Sequence, residues 1–142
     1  MTSGRLADAQ AAAIPLCRTP AGSIEICLIR RRDSDAWGIP KGFIDPGHTP
    51  GEAALNEAYE EAGLSGRLLG DSIGSYVYSK RGDSYSVAVF LMEVQAEDGN
   101  WPEERVRVRR WHPVDEALSL LRRHPVRPLL PDIAKHIEER FP

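Results

Sequence analysis

Two stretches near the start, residues 11–17 (AAAIPLC) and 24–31 (IEICLIRR), are apolar with little alternation. Runs of that kind predict strands, the second ending in a basic cluster, Arg30, Arg31 and Arg32. Thr19, Pro20, Ala21 and Gly22 between them are turn residues. Residues 33–48 have no period and are rich in Gly, Pro and Asp, which predicts a shaped loop. A helical period follows over 50–62. Residues 66–79 and 84–95 then read as two strands joined by the turn Lys80-Arg81-Gly82-Asp83, a hairpin. Asp98, Gly99 and Asn100 mark another turn, and 106–111 alternates Val with Arg, a strand with one charged face. Two more helices are predicted at 114–123 and 131–140, with Pro125, Pro128 and Pro131 punctuating the region between them. Residues 1–10 are small and polar and are expected to be flexible. Strands mixed with three helices predict one domain, layered helix–sheet–helix.

The 50–62 segment has the strongest local signals. Thr49 can cap it, Pro50 suits the first turn, and Glu52 lies three residues after Thr49, which makes a capping box. Gly63 suits the left-handed stop. At about 100° per residue, Ala54, Leu55, Ala58 and Ala62 share one side, and Glu57, Glu60 and Glu61 share another. Carboxylates at that spacing repel and lie toward the negative end of the helix dipole. Lys and Arg are absent from 42–66, so nothing local offsets them. A glutamate run is ordinarily a solvated face. The other resolution is a divalent cation: hard oxygen donors suit magnesium, with manganese as the alternative.

Composition narrows the partners. The chain has 142 residues, 42% hydrophobic and 27% charged, as in one ordinary globular domain with a real core. Its net charge of −3 gives no general attraction for a nucleic-acid polymer or an anionic membrane, so phosphate recognition must be local. No apolar run is long enough to span a bilayer. The first ten residues lack a basic start followed by an apolar stretch, so a cytoplasmic location is expected. Cys17 and Cys27 lie in apolar runs and are expected as buried thiols.

The segment from Gly42 to Leu64 resembles the Nudix box, a loop–helix–loop signature. Gly42, Glu57, Glu60, Glu61, Gly63 and Leu64 match its pattern. Trp37-Gly38-Ile39-Pro40-Lys41 is similar to the usual lead-in. Trp101-Pro102-Glu103, Arg110-Trp111 and the helix bearing Asp115, Glu116 and Ala117 are similar to the usual end of such domains. Three positions depart: His48 stands where the family has Glu, Asn56 where it has Arg, and Ala58 where it has a larger aliphatic. Losing the Arg removes a charge-assisted hydrogen bond beside the neighbouring Glu. The resemblance implies an α/β/α sandwich with a mixed β-sheet over 1–142.

It also implies roles. Glu57 and Glu61 would bind the metal with the backbone carbonyl of Lys41, and Glu60 would be a further ligand or would activate the attacking water. Glu103 and Glu104, in a loop before a strand, are candidate bases outside the box, and Glu93 is a weaker one. Lys41, Arg31, Lys80 and Arg81, with Arg30 and Arg32, would form a basic rim for phosphates. Tyr76, Tyr78 and Tyr85 are expected to pack first and to stack on a base second; Trp37 is expected to pack or to wall the pocket, and Trp111 to lie in the core. The implied activity is Mg²⁺-dependent hydrolysis of a diphosphate linkage in a small phosphorylated metabolite. Dinucleoside polyphosphates or diphosphoinositol polyphosphates are favoured from the form Pro40-Lys41-Gly42. The alternatives are an ADP-ribose or nucleotide-sugar pyrophosphatase and a weakly active domain that binds a phosphorylated ligand. A homodimer is expected from the resemblance alone.

Overall fold

The computed structural model describes residues 6–142. β1 (Asp8–Arg18) is central, flanked on one side by β6 (Asp83–Glu97), to which it runs parallel. On its other side it has two antiparallel partners in succession. β2 (Ile24–Arg31) pairs with its end, from Leu16↔Ile26 to Arg18↔Ile24, and β3 (Lys41–Phe43) pairs with its start, from Gln10↔Phe43 to Ala12↔Lys41. β2 then diverges and runs beside β7 (Arg107–Pro113) as far as Arg31↔Arg107. β4 (Leu64–Leu68) and β5 (Gly74–Lys80) each pair antiparallel with a different half of β6. The sheet therefore splits between β2 and β3. Gly38 spans the split by exchanging hydrogen bonds with Ile29 at 2.7 and 3.0 Å, and the Pro40 carbonyl accepts from the Ala13 N–H at 3.0 Å.

The alternation hidden in the apolar runs divides two cores. Ala12, Ile14 and Leu16 of β1, with Val87, Val89 and Leu91 of β6, face α2 (Val114–Leu120) and α3 (Leu130–Arg140). Ala11 and Ala13, with Ala88, Phe90 and Met92, face α1 (Pro50–Ala62). Helix α1 offers Ala53, Ala54, Ala58 and Ala62 to that face, so small side chains meet small side chains and the helix sits close over β1 and β3. Cys27 is buried on the α1 side and Cys17 half-buried; both thiols are free. Among the described residues, no helix is long and apolar enough to cross a membrane.

Both ends of α1 are anchored. The Glu52 N–H donates to Thr49 Oγ1 at 3.1 Å and the Thr49 N–H to Glu52 Oε1 at 2.8 Å, the reciprocal capping box. Gly63 ends the helix at φ 68°, its N–H turned back on the Ala58 and Tyr59 carbonyls. The final turn carries no basic residue, so its carbonyls are met from a distance. Trp101 Nε1 donates to the Glu61 carbonyl at 3.1 Å, and Arg109 Nη1 to that of Ala62 at 2.8 Å. The Arg109 guanidinium also lies 4.0 Å from the Trp101 ring centroid. The charged face expected for 106–111 is thus folded onto the negative end of α1.

Four expectations are corrected. The loop 33–48 contains strand β3, too short to announce itself and formed because β1 offers an unpaired edge there. The single strand expected over 66–79 is two, β4 and β5. Leu69 and Ile73 between them donate from their N–H groups to the Leu91 and Val89 carbonyls, so the chain follows β6 through a break. The predicted helix over 114–123 stops at Leu120 and tightens into a 3₁₀ turn at Leu121–Arg123. Of the residues expected to be flexible over 1–10, residues 1–5 lie outside the described ones. Asp8 to Gln10 belong to β1, where Ser86 Oγ donates to Asp8 Oδ1 at 2.7 Å and the Tyr78 hydroxyl to Gln10 Oε1 at 2.8 Å. Polarity misled there because the polar groups have partners.

A methyl group on Gly63 would stand 2.7 Å from Arg109 Nη1 and 2.9 Å from Trp101 Cβ, in a backbone conformation costly for any L side chain. Gly63→Ala is therefore expected to lower stability by about 1–3 kcal/mol, measured as a lower urea midpoint with unchanged slope.

Candidate active site

The site begins with the register of β3. Ala13 and Pro40 are hydrogen-bonded partners across β1 and β3, so Lys41 falls at the intervening position where main-chain groups point away from β1. Its N–H instead donates to Glu61 Oε1 at 3.3 Å, and its carbonyl is likewise turned off the ladder. The next residue, Gly42, passes so close to α1 that a Cβ there would stand 2.3–2.6 Å from the Glu57 carboxylate. Absence of a side chain at Gly42 lets Glu57 fold over the strand.

Glu57 and Glu61 are hydrogen-bonded to each other. Burial raises the pKa of both, and the like charge of Glu103 adds to each. For Glu61, which is 6% exposed, burial is the largest cause; Arg107 acts the other way, Glu57 adds to the rise, and the result is about 8. Glu61 therefore holds a proton at neutral pH that it shares with Glu57. Arg107 Nη2 stands 3.7 Å from Glu61 Oε1, while Arg107 Nε is 3.0 Å from Glu103 Oε1.

Two arrangements of charge meet at Lys41. Outside α1, Asp45, Asn56, Glu57, Tyr59, Glu60 and Glu103 line an open acidic cleft. Glu103 is fixed there by its N–H on the Glu60 carbonyl at 3.0 Å. In the split between β2 and β3 lies a second cleft of ≈ 270 Å³, where Glu61 and Lys41 face Arg30, Arg31, Arg107 and His124. A third cleft on the hairpin side, ≈ 510 Å³, is lined by Lys41, Lys80 and Arg81 and walled by Phe43, Tyr78 and Tyr85. Lys41 Nζ donates to the Tyr78 hydroxyl at 3.2 Å and lies 4.5 Å from that ring's centroid, between the last two clefts.

The expected site residues are thus sorted. Glu57, Glu60, Glu61 and Lys41 come together, and Glu103 joins them. Glu104 stands apart: its carbonyl receives Arg32 at 2.9 Å, which also turns Arg32 from the clefts. Glu93 is paired with Arg67 at 2.7 Å. Arg31 lines the β2–β3 cleft beside Asp33, and Lys80 and Arg81 line the hairpin cleft. Tyr76 is core, and Trp111 is half-buried with its Nε1 on Glu97. Trp37 has the Arg30 and Arg110 guanidinium groups 5.3 and 5.7 Å from its ring centroid. Sequence reasoning missed Arg107, His124 and Asp45. Arg107 was legible only as one of several charges on a strand, and His124 as one polar residue in a proline-rich stretch. His124 is half-buried; desolvation holds its pKa down to about 4, with the charge of Lys41 contributing.

The donors fit a cation that takes few protein ligands. Among the described residues no group of three or more His, Cys, Asp or Glu side chains is arranged to hold a metal ion, so Glu57, Glu60 and Glu61 do not converge as one ligand set. Two adjacent carboxyls and a strand carbonyl suit magnesium, which keeps several waters. The Gly42 cradle and the strained proton balance of Glu57 and Glu61 are what such an ion would relieve.

Two outcomes follow. Between pH 4.5 and about 8 the folded chain holds a proton on Glu61 that the unfolded chain releases, so stability falls as pH rises through that window. Urea denaturation of the metal-free chain should show this decline, and Glu61→Gln should flatten it. Gly42→Ala should leave the fold intact but weaken Mn²⁺ binding about tenfold or more, read by calorimetry.

Comparisons with known proteins agree with this layout. The family model for the NUDIX domain matches residues 8–133. Nudix hydrolase 16, mitochondrial, of Arabidopsis thaliana is 33% identical over 110 residues, covering 72% of this chain and 60% of its own length. Diphosphoinositol polyphosphate phosphohydrolase 2 of Homo sapiens is 31% identical over 113 residues, 77% of this chain and 61% of its own. The chain thus spans roughly half to three-fifths of the length of such relatives. In fold it is similar to the crystal structure of a C. elegans Ap4A hydrolase binary complex, with TM-score 0.76 and 23% identity over 92% of this chain and 97% of that one. Because the family match runs from β1 through the carboxylate helix and into α3, the chain belongs to the Nudix family.

Proposed function

We propose that the chain is a pyrophosphohydrolase that cleaves a diphosphate linkage in a small phosphorylated metabolite, with magnesium held by Glu57, Glu61 and the Lys41 carbonyl. The observation that carries this reading is the pairing of buried Glu61 with half-buried Glu57 beneath a strand that has no side chain at Gly42. Placing two acids side by side with one of them buried costs stability, and a cation site is what gives the arrangement a use. Magnesium at such a site supplies charge neutralisation on phosphoryl oxygens and a more acidic water.

The chain's own residues do the rest. Glu57 and Glu61 release their shared proton as the cation binds. Glu60 projects from the exposed side of α1 into the acidic cleft, where it is placed to take a proton from the attacking water. Glu103 is engaged by Arg107 and shapes the same cleft. Lys41, Arg30, Arg31 and Arg107 on one side, and Lys80 and Arg81 on the other, hold anionic groups at two ends. Two cationic clefts meeting at Lys41 suit an extended polyphosphate better than a single phosphate ester. The favoured substrates are accordingly a dinucleoside polyphosphate or a diphosphoinositol polyphosphate. The aromatic wall of Phe43, Tyr78 and Tyr85 beside Lys80 and Arg81 favours the nucleotide of the two, because it provides a surface for a base. The names of the relatives and of the structural neighbour lie in the same range of chemistry.

Incubation with diadenosine tetraphosphate, ADP-ribose and an inositol pyrophosphate, each with magnesium, should yield cleaved products most readily from the first and none without the cation. Glu57→Gln and Glu61→Gln should each reduce turnover by about a hundredfold or more. Wild-type turnover in either variant would sink the assignment, and tight ligand binding with no product would establish a binding module instead.

A further inference from the structure

His124 lies at the meeting of two short turns, Leu121–Arg123 and Arg127–Leu129, and no step above uses it. The Val126 N–H donates to its Nδ1 at 3.0 Å. A ring nitrogen that accepts a hydrogen bond carries no proton, so the neutral imidazole has its proton on Nε2. The Tyr76 ring flanks the imidazole edge-on, centroids 5.7 Å apart, and fixes its plane. The Nε2–Cδ2 edge passes over Gly38, where a Cβ would stand 3.4 Å from Nε2 and 3.3 Å from Cδ2. With glycine at 38 no side chain caps that edge, and Nε2 meets no acceptor among the described residues.

The uncovered edge belongs to the cleft between β2 and β3, together with Arg30, Trp37, Lys41, Glu61 and Arg107. Glu61, the acidic group of this cleft, is engaged by the Lys41 N–H and by Glu57. Four cationic side chains around the same space, Arg31 among them, select an anionic oxygen over a hydroxyl. A neutral donor with a fixed proton adds direction there without adding a charge beside Lys41.

Resting on the diphosphate reading of the site, we propose that His124 is a substrate-binding residue whose Nε2–H donates a hydrogen bond to a phosphoryl oxygen of the ligand held between Trp37 and Lys41. Val126 sets the tautomer, Tyr76 the plane, and Gly38 the access.

Methylenediphosphonate, a non-cleavable diphosphate that offers only phosphoryl oxygens, separates this role from recognition of a sugar or base. With magnesium present, calorimetry on the full chain should show His124→Phe binding it about tenfold more weakly than wild type, since the ring packing stays and the donor goes. His124→Gln, which keeps an N–H donor, should stay within about threefold. Gly38→Ala should weaken binding by pressing a methyl group onto the Nε2–Cδ2 edge. Nitrogen NMR of the free protein should show the Nε2–H tautomer, and the Nε2 resonance should move when the ligand binds. Equal affinity in His124→Phe, equal loss in the Phe and Gln variants, or an Nδ1–H tautomer would overturn the assignment. If wild type itself neither binds the probe nor cleaves any diphosphate, the hydrolase reading falls and His124 with it. If wild type does both and His124→Phe matches it, only the His124 role falls.

Discussion

Two acidic side chains kept together, Glu61 buried and Glu57 half-buried, are the constraint on which the rest of this structure turns. Glu57 and Glu61 lie on the inner edge of a helix that packs against the sheet through alanines. That close seat is what brings their carboxyls to β3, and the missing side chain at Gly42 leaves room for them. Larger residues on α1 or β1 would lift the helix and separate the acids from the strand. Small-residue packing between α1 and the sheet is therefore a requirement of the site as well as of the core.

A helix ending in glutamates, with no lysine or arginine in its last turn, is unfavourable by itself. The offset comes from across the sheet. Arg107 approaches Glu61 and Glu103, and Arg109, stacked on Trp101, satisfies the Ala62 carbonyl. The resemblance led to the expectation that Asn56 deprives the acids of a guanidinium. In the folded chain a guanidinium does stand beside Glu61, but it belongs to Arg107 of β7. Asn56 and His48 are both exposed, Asn56 on the acidic cleft and His48 in the turn before α1, with its N–H on the Asp45 carbonyl.

The division of β1 between two partners makes the space for a ligand. Because β2 leaves β1 after a short pairing and β3 takes over farther back, a crevice opens inside the sheet, and Lys41 sits on its lip. Negative potential is concentrated on the α1 side of Lys41 and positive potential on either flank. On the proposed reading, a cation and a polyanion would take adjacent places, as chemistry on a phosphate anhydride requires.

Most of what could be read along the chain was local. The capping box at Thr49 and Glu52, the stop at Gly63 and the three-glutamate face depend on residues within a few positions of one another, and an isolated stretch already encodes them. The apolar runs at 11–17 and 24–31 announced strands, and the position of the acids on α1 followed from helical spacing. Tertiary structure alone decided the remainder. It placed a three-residue strand at Lys41–Phe43, brought Glu103 but not Glu104 to the acids, delivered Arg107 and Arg109 to the end of α1, and set His124 over Gly38. Each of those depends on strand register and on contacts between residues far apart in sequence, and no spacing within a single segment carries that information.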